Sequence, residues 1–237
     1  MDAGKPLRLF VGVRVSLATA RALEEEVGRL RAAATGVAPR WVAPAAYHVT
    51  LKFLGWTRPE VVEALRDRIA HHLAGARACE VEVRGLGAFP APGRARVLWA
   101  GVASPGAARL AELAERVERA TAELGFARDK RAYHPHVTLA RLREPGDVSS
   151  LVADAAERVC RSSWIDSVIL FESTMRSTGS EYTAVARWTL EPGSKGSRRH
   201  TRPVEPEAES DSDPGALESK VTSRVASGET PDGDEQG

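Results

Sequence analysis

The word His-Val-Thr-Leu stands twice in the chain, at His48–Leu51 and at His136–Leu139, 88 positions apart. Successive residues of a strand point to opposite faces, so His48 projects with Thr50 and His136 with Thr138, while the valines and leucines face apolar packing. Each copy therefore offers one imidazole and one hydroxyl to a common space. Two histidines opposed across a small anion suit metal-free displacement at a phosphodiester. The neutral ring takes a proton from water, and the protonated ring gives one to the departing oxygen. An unperturbed pKa near 6.5 keeps both forms accessible near neutrality. The threonine hydroxyls are placed to donate hydrogen bonds to phosphoryl oxygens as charge builds on them.

Other chemistries find less in the sequence. Zinc needs at least three ligands, and neither motif has Cys, Asp or Glu at metal spacing. His71 and His72 diverge around a helix. No cofactor is expected. There is no G-x-S-x-G elbow, no phosphate loop of the G-x-x-x-x-G-K type, and neither Cys79 nor Cys160 adjoins a histidine. His134 alternates with His136, but Pro135 separates them and Ala46 stands at the matching place before His48, so His134 is set outside the catalytic set.

The motifs must be held by strands. Alternation predicts strands at Leu7–Val15, His48–Gly55, Cys79–Leu86, Arg94–Val102, His136–Arg141, Ser163–Phe171 and Tyr182–Leu190. Apolar residues at spacings of three and four predict helices after Ser16, after Pro59, over Ala107–Leu124 and over Val148–Val159, with RWVAPAAY as an extended linker. Helices interleaved with hairpin-like strand pairs favour an α+β protein with antiparallel sheets over a doubly wound parallel sheet. The spacing of the repeated word is near half of a 190-residue body, as two similar lobes require.

The 237 residues, 43% hydrophobic, can fill one large domain or two small ones. A net charge of +1 hides a split. Residues 191–237 carry 6 Lys+Arg and 11 Asp+Glu, leaving 27 and 21 on residues 1–190. The tail is acidic and rich in Pro, Gly and Ser, which predicts disorder beyond Leu190. Two cysteines 81 positions apart make no disulfide scaffold. No stretch approaches the roughly 20 apolar residues of a membrane span, and the expected setting is cytoplasmic, with the chain a monomer.

These stretches together resemble the two-histidine (2H) phosphoesterase superfamily, and within it the RNA 2′,3′-cyclic phosphodiesterases, also described as 2′-5′ RNA ligases. The resemblance is carried by RLFVGV at Arg8–Val13, RWVAPAAYHVTLKFLG at Arg40–Gly55, GAFPAPGRARVLWAGV at Gly87–Val102, YHPHVTLAR at Tyr133–Arg141, and LFES with EYTAVARW at 170–173 and 181–188. Tyr133 stands where phenylalanine is commoner. The resemblance implies a pseudo-two-fold pair of lobes, each an antiparallel sheet with helices on its outer face, around a central cleft. It further implies hydrolysis of RNA or oligonucleotide 2′,3′-cyclic phosphate ends to 2′-phosphomonoesters, with His48 as proton donor and His136 as acceptor. The residues by themselves leave the assignment of donor and acceptor open.

Thr50 and Thr138 are the expected phosphate ligands. Arg141 joins them only if its strand bends, because an odd offset from His136 otherwise turns it to the other face. Phe53 and Trp41 are candidates to stack on a terminal base, and Arg40, Lys52, Arg94, Arg96, Lys130 and Arg131 flank the candidate cleft segments. Small cyclic nucleotides, 2′-5′ linked oligonucleotides with reversible ligation, and a noncatalytic RNA-end binding module remain as alternatives at the same site.

Overall fold

In chain order the elements are β1 (Leu7–Arg14), α1 (Leu17–Ala33), β2 (Pro39–Trp41), β3 (His48–Thr57), α2 (Val62–Leu73), β4 (Cys79–Phe89), β5 (Ala95–Val102), α3 (Gly106–Ala122), β6 (His136–Gly146), α4 (Ser149–Ala153), β7 (Cys160–Ile165), β8 (Ser167–Arg176) and β9 (Gly179–Thr189). They come from a computed structural model that describes residues 5–153, 160–176 and 179–193. All of these lie in the unit Met1–Ser197.

The strands run in the order β7-β4-β5-β6-β3-β1-β8-β9, with β2 added to β6, and the pairs between them are antiparallel. The expected α+β architecture with two antiparallel lobes is present. One lobe is β3-β1-β8-β9 and the other β7-β4-β5-β6 with β2. Among the described residues one ladder pair, Val49↔Val137, joins the two lobes' strands, so the valines of the two repeated words are the seam of the sheet. Both are fully buried.

Helices tie the lobes from outside. Ser16 caps α1 as its spacing predicts, its hydroxyl accepting from the Thr19 amide at 3.2 Å. Thr19 Oγ1 donates to the Ser162 carbonyl at 3.0 Å, and the Ser16 amide donates to Ser163 Oγ at 2.9 Å, so a helix leaving one lobe is anchored on the other. The predicted stripe on α3 is buried at Leu110, Leu113, Val117 and Ala120, and α3 packs against β3 of one lobe and β4 of the other.

The segment Ser163–Phe171, expected as one strand, is two. β7 pairs with β4 and β8 with β1. Between them Asp166 accepts the Leu190 amide at 2.8 Å, and the chain passes from one lobe to the other. Residues 167–171 are all buried, so no alternation marked the break. The extended linker contains β2, whose pairing with β6 is nonlocal. Of the predicted helix over Val148–Val159, Ser149–Ala153 is helical and 154–159 lies outside the described residues. Of the expected tail, Glu191 pairs with the chain at Ala76 and Ala78, and 194–237 lies outside them.

Candidate active site

Each histidine is fixed by its own backbone. His48 Nδ1–H donates to the Ala46 carbonyl at 2.7 Å, and His136 Nδ1–H donates to the His134 carbonyl at the same 2.7 Å. That bond selects the tautomer whose Nε2 is free for chemistry. In the neutral ring of His48, Nε2 accepts from the Thr50 hydroxyl at 3.1 Å. Val49↔Val137 is the ladder pair between β3 and β6, so the two repeated words meet in antiparallel sense at their second residues.

Beyond the histidines the two strands share an irregularity. On β3 the partners run Arg14↔His48, Val13↔Val49 and Gly12↔Thr50, then skip Leu51 to resume at Val11↔Lys52. On β6 they run Gly101↔His136, Ala100↔Val137 and Trp99↔Thr138, then skip Leu139 to resume at Leu98↔Ala140. The fourth residue of each repeated word is thus the extra residue of a β-bulge. Its effect is to flip the phase: Leu51 with Lys52, and Leu139 with Ala140, are consecutive buried residues. The odd-offset Phe53 and Arg141 return to the histidine face, both exposed. The bend required for Arg141 exists.

The electrostatics of the two rings are linked. His48 is pushed down to about 4, first by burial and then by Arg14, Arg141 and His136, against a raising effect of the Ala46 carbonyl. His136 is also lowered, again chiefly by burial, with His134 and Arg141 adding to it and the His134 carbonyl opposing. Arg141 acts on both rings. Arg40 lies directly opposite Arg141 in the β2–β6 pair.

Aromatic rings back each histidine. Phe10, Phe171 and Tyr182 lie 4.8, 6.1 and 5.0 Å from the His48 ring, centroid to centroid. Phe89 and Trp99 lie 5.1 and 6.1 Å from that of His136. Gly87 leaves room for the Trp99 indole, which any Cβ there would overlap. Arg14, Phe10 and Trp99 were not singled out from sequence. The i, i+2 series Arg8, Phe10, Gly12, Arg14 was the available signal for the first two.

Trp41 and Lys52 do not reach this face. Trp41 pairs with Ala140, shares its buried side and packs on the core under the Arg31 guanidinium, 5.6 Å from its ring. Base stacking by Trp41 is therefore corrected. Lys52 is buried, donating to Glu118 Oε1 at 2.8 Å and to the Ala127 carbonyl at 2.6 Å. Its charge serves the contact between β3 and the segment after α3. From that segment Tyr133 donates to the Thr50 carbonyl at 3.0 Å, linking the two motifs. Among the described residues no group of three or more His, Cys, Asp or Glu could hold a metal ion. A separate concavity lined by Arg77, Cys79, Arg109, Glu112 and Arg116 contains neither motif.

An α+β fold with paired strands presenting His-x-Thr from each lobe defines a two-histidine phosphoesterase. A sequence model of the 2′-5′ RNA ligase superfamily matches residues 19–173, and the chain belongs to that family. It is 42% identical over 120 residues to an RNA 2′,3′-cyclic phosphodiesterase of Aeropyrum pernix, a match covering 50% of this chain and 65% of that protein. To the protein of the same description from Aquifex aeolicus it is 30% identical over 193 residues, 78% of this chain and 98% of the other. The crystal structure of TT0787 of Thermus thermophilus superposes with a TM-score of 0.64 at 26% identity, covering 78% of this chain and 99% of that one.

Proposed function

We propose that this protein hydrolyses 2′,3′-cyclic phosphate ends of RNA or oligonucleotides to 2′-phosphomonoesters, with His48 as proton donor and His136 as proton acceptor. The observation that carries the proposal is the matched pair of His-x-Thr strands, each with Nδ1–H tied to a carbonyl so that Nε2 is the nitrogen offered for proton transfer. Relatives described as RNA 2′,3′-cyclic phosphodiesterases support the same substrate.

The reaction divides among this chain's own groups. His136, neutral at pH 7 by burial, accepts the proton of the attacking water. The 3′ oxygen then leaves from phosphorus and takes a proton from His48. In the unliganded cleft His48 is held neutral by burial and the nearby cations. The bound phosphodiester anion offsets those cations and raises His48, so the acid is charged only when substrate is present. Thr50, Thr138 and Arg141 hold the nonbridging oxygens, with Arg40 adding field, and Phe53 stacks on the terminal base. The setting is a monomer in the cytoplasm, which the half-buried free thiol of Cys79 suits. No described helix is long and apolar enough to cross a membrane.

The test is 31P NMR of a cyclic-phosphate oligonucleotide incubated with the full chain in excess EDTA. A 2′-phosphate should appear, and His48→Ala and His136→Ala should each lose about 10²–10⁴ in rate. Undiminished turnover in either variant rejects the roles, and binding without turnover across pH 5 to 8 makes the protein an RNA-end binding module.

A further inference from the structure

The face that carries His48 does not stop at the cleft. β1 runs regularly, and its alternate residues Arg14, Gly12, Phe10 and Arg8 pair in turn with His48, Thr50, Phe53 and Trp56. Directly opposed residues share a face. This holds along β3 only because the register skips both Leu51 and Leu54. The second skip brings Trp56, three positions beyond Phe53, back to the histidine side. Two β1 residues separate successive rungs, so the Phe53 and Trp56 positions are about 7 Å apart. That is about twice the 3.4 Å step of a stacked strand.

The surroundings have a consistent chemistry. Four large hydrophobic side chains are markedly exposed among the described residues, and Phe53 (58%), Trp56 (70%) and Met175 (62%) are three of them. The Arg8 guanidinium, opposite Trp56, is held only by long contacts to Ser173 Oγ at 3.5 Å and Met175 Sδ at 3.9 Å. No carboxylate among the described residues pairs with it. Solvated aromatic faces spaced for unstacked bases, with a cation beside the outer one that no described carboxylate pairs and the proposed phosphate site at the inner end, fit a single strand better than an apolar partner.

We infer that Trp56 and Arg8 form a second nucleotide subsite. Trp56 stacks the base on the 5′ side of the terminal nucleotide and Arg8 holds the phosphate between them, which makes oligonucleotide ends the preferred substrates over mononucleotide cyclic phosphates. The inference rests on the function proposed above, and the test separates the two.

The experiment compares the full chain with Trp56→Ala, Trp56→Phe and Arg8→Gln. It measures KM for a cyclic mononucleotide and for a cyclic-phosphate tetranucleotide, and the affinity for a fluorescent tetranucleotide bearing a 2′-phosphate. Wild type should show a KM for the tetranucleotide about tenfold below that for the mononucleotide. Trp56→Ala should bring that ratio toward one and weaken tetranucleotide binding about tenfold, while Trp56→Phe keeps most of both. Arg8→Gln should reduce the salt dependence of tetranucleotide binding by about one phosphate contact.

Equal KM values for both lengths in an active wild type, or unchanged affinity in Trp56→Ala, overturn the subsite and leave the hydrolase intact. Absence of turnover with Trp56-dependent affinity sinks the hydrolase and sustains the subsite. A Trp56-dependent change in sedimentation without an effect on affinity assigns the face to a second copy of the chain and overturns it.

Discussion

At the scale of single residues, the two imidazoles are held alike, each by its Nδ1–H on a backbone carbonyl, in different surroundings. Both lie below the free value of 6.5, each chiefly through burial, and His48 is pushed down to about 4, with Arg14, Arg141 and His136 adding to its burial. The unfolded chain therefore takes up a proton near pH 6.5 that the folded protein refuses until about pH 4. The stability associated with a neutral, buried His48 is whole above pH 6.5 and declines as the pH falls toward 4. Proton NMR should find His48 titrating near 4 in the free protein and moving upward when inorganic phosphate is added. His48→Asn should flatten the acid-side loss of stability measured by urea unfolding. A His48 that titrates near 6.5 and ignores phosphate would contradict the picture. The candidates for chemistry were legible in the sequence because His-x-Thr is written twice. The sequence did not disclose the cations that act on His48, since Arg14 is brought beside it only by the pairing of β1 with β3.

At the scale of elements, the repeated word specifies a bulge as well as a face. Leu51 and Leu139 each leave the ladder at the same point. Alternation read from sequence therefore held for His48, Thr50, His136 and Thr138 and reversed for Phe53 and Arg141. A bulge is a property of two paired strands, and one strand's pattern does not reveal it. The same limit explains β2 and the division at Asp166, where nonlocal partners decide. The helices were legible because their apolar stripes are local. β1 must lie close to β3 for the register to hold, and Gly12 makes that possible: a Cβ there would stand 2.8 Å from the Val49 carbonyl. Gly12→Ala should cost about 1–3 kcal/mol, read as a lower midpoint in urea, with activity falling more than His48→Asn stability data would suggest, because the seam valine and His48 move together. A variant as stable and active as wild type would show that the strands have slack.

At the scale of the whole molecule, the two lobes were visible as a duplication, but their mutual attachment was not. One valine pair, the Tyr133–Thr50 hydrogen bond and helices anchored on both lobes set the gap between the histidines. None of these is a local pattern. The matched bulges place Phe53 and Arg141 at equivalent points of the two halves, one proposed above as a ring for a base and the other as a cation for an anion. A scaffold with identical occupants there could accept a ribose cyclic phosphate either way round and release either ester oxygen. Arg141→Phe, which makes the two points alike, should give mixed 2′- and 3′-phosphates by 31P NMR where wild type gives one, and a single product would refute this. On the proposed function, the choice of product ester follows from a difference between two side chains on an otherwise repeated frame: the halves match in the residues proposed to move protons and differ at the fifth residue past each histidine.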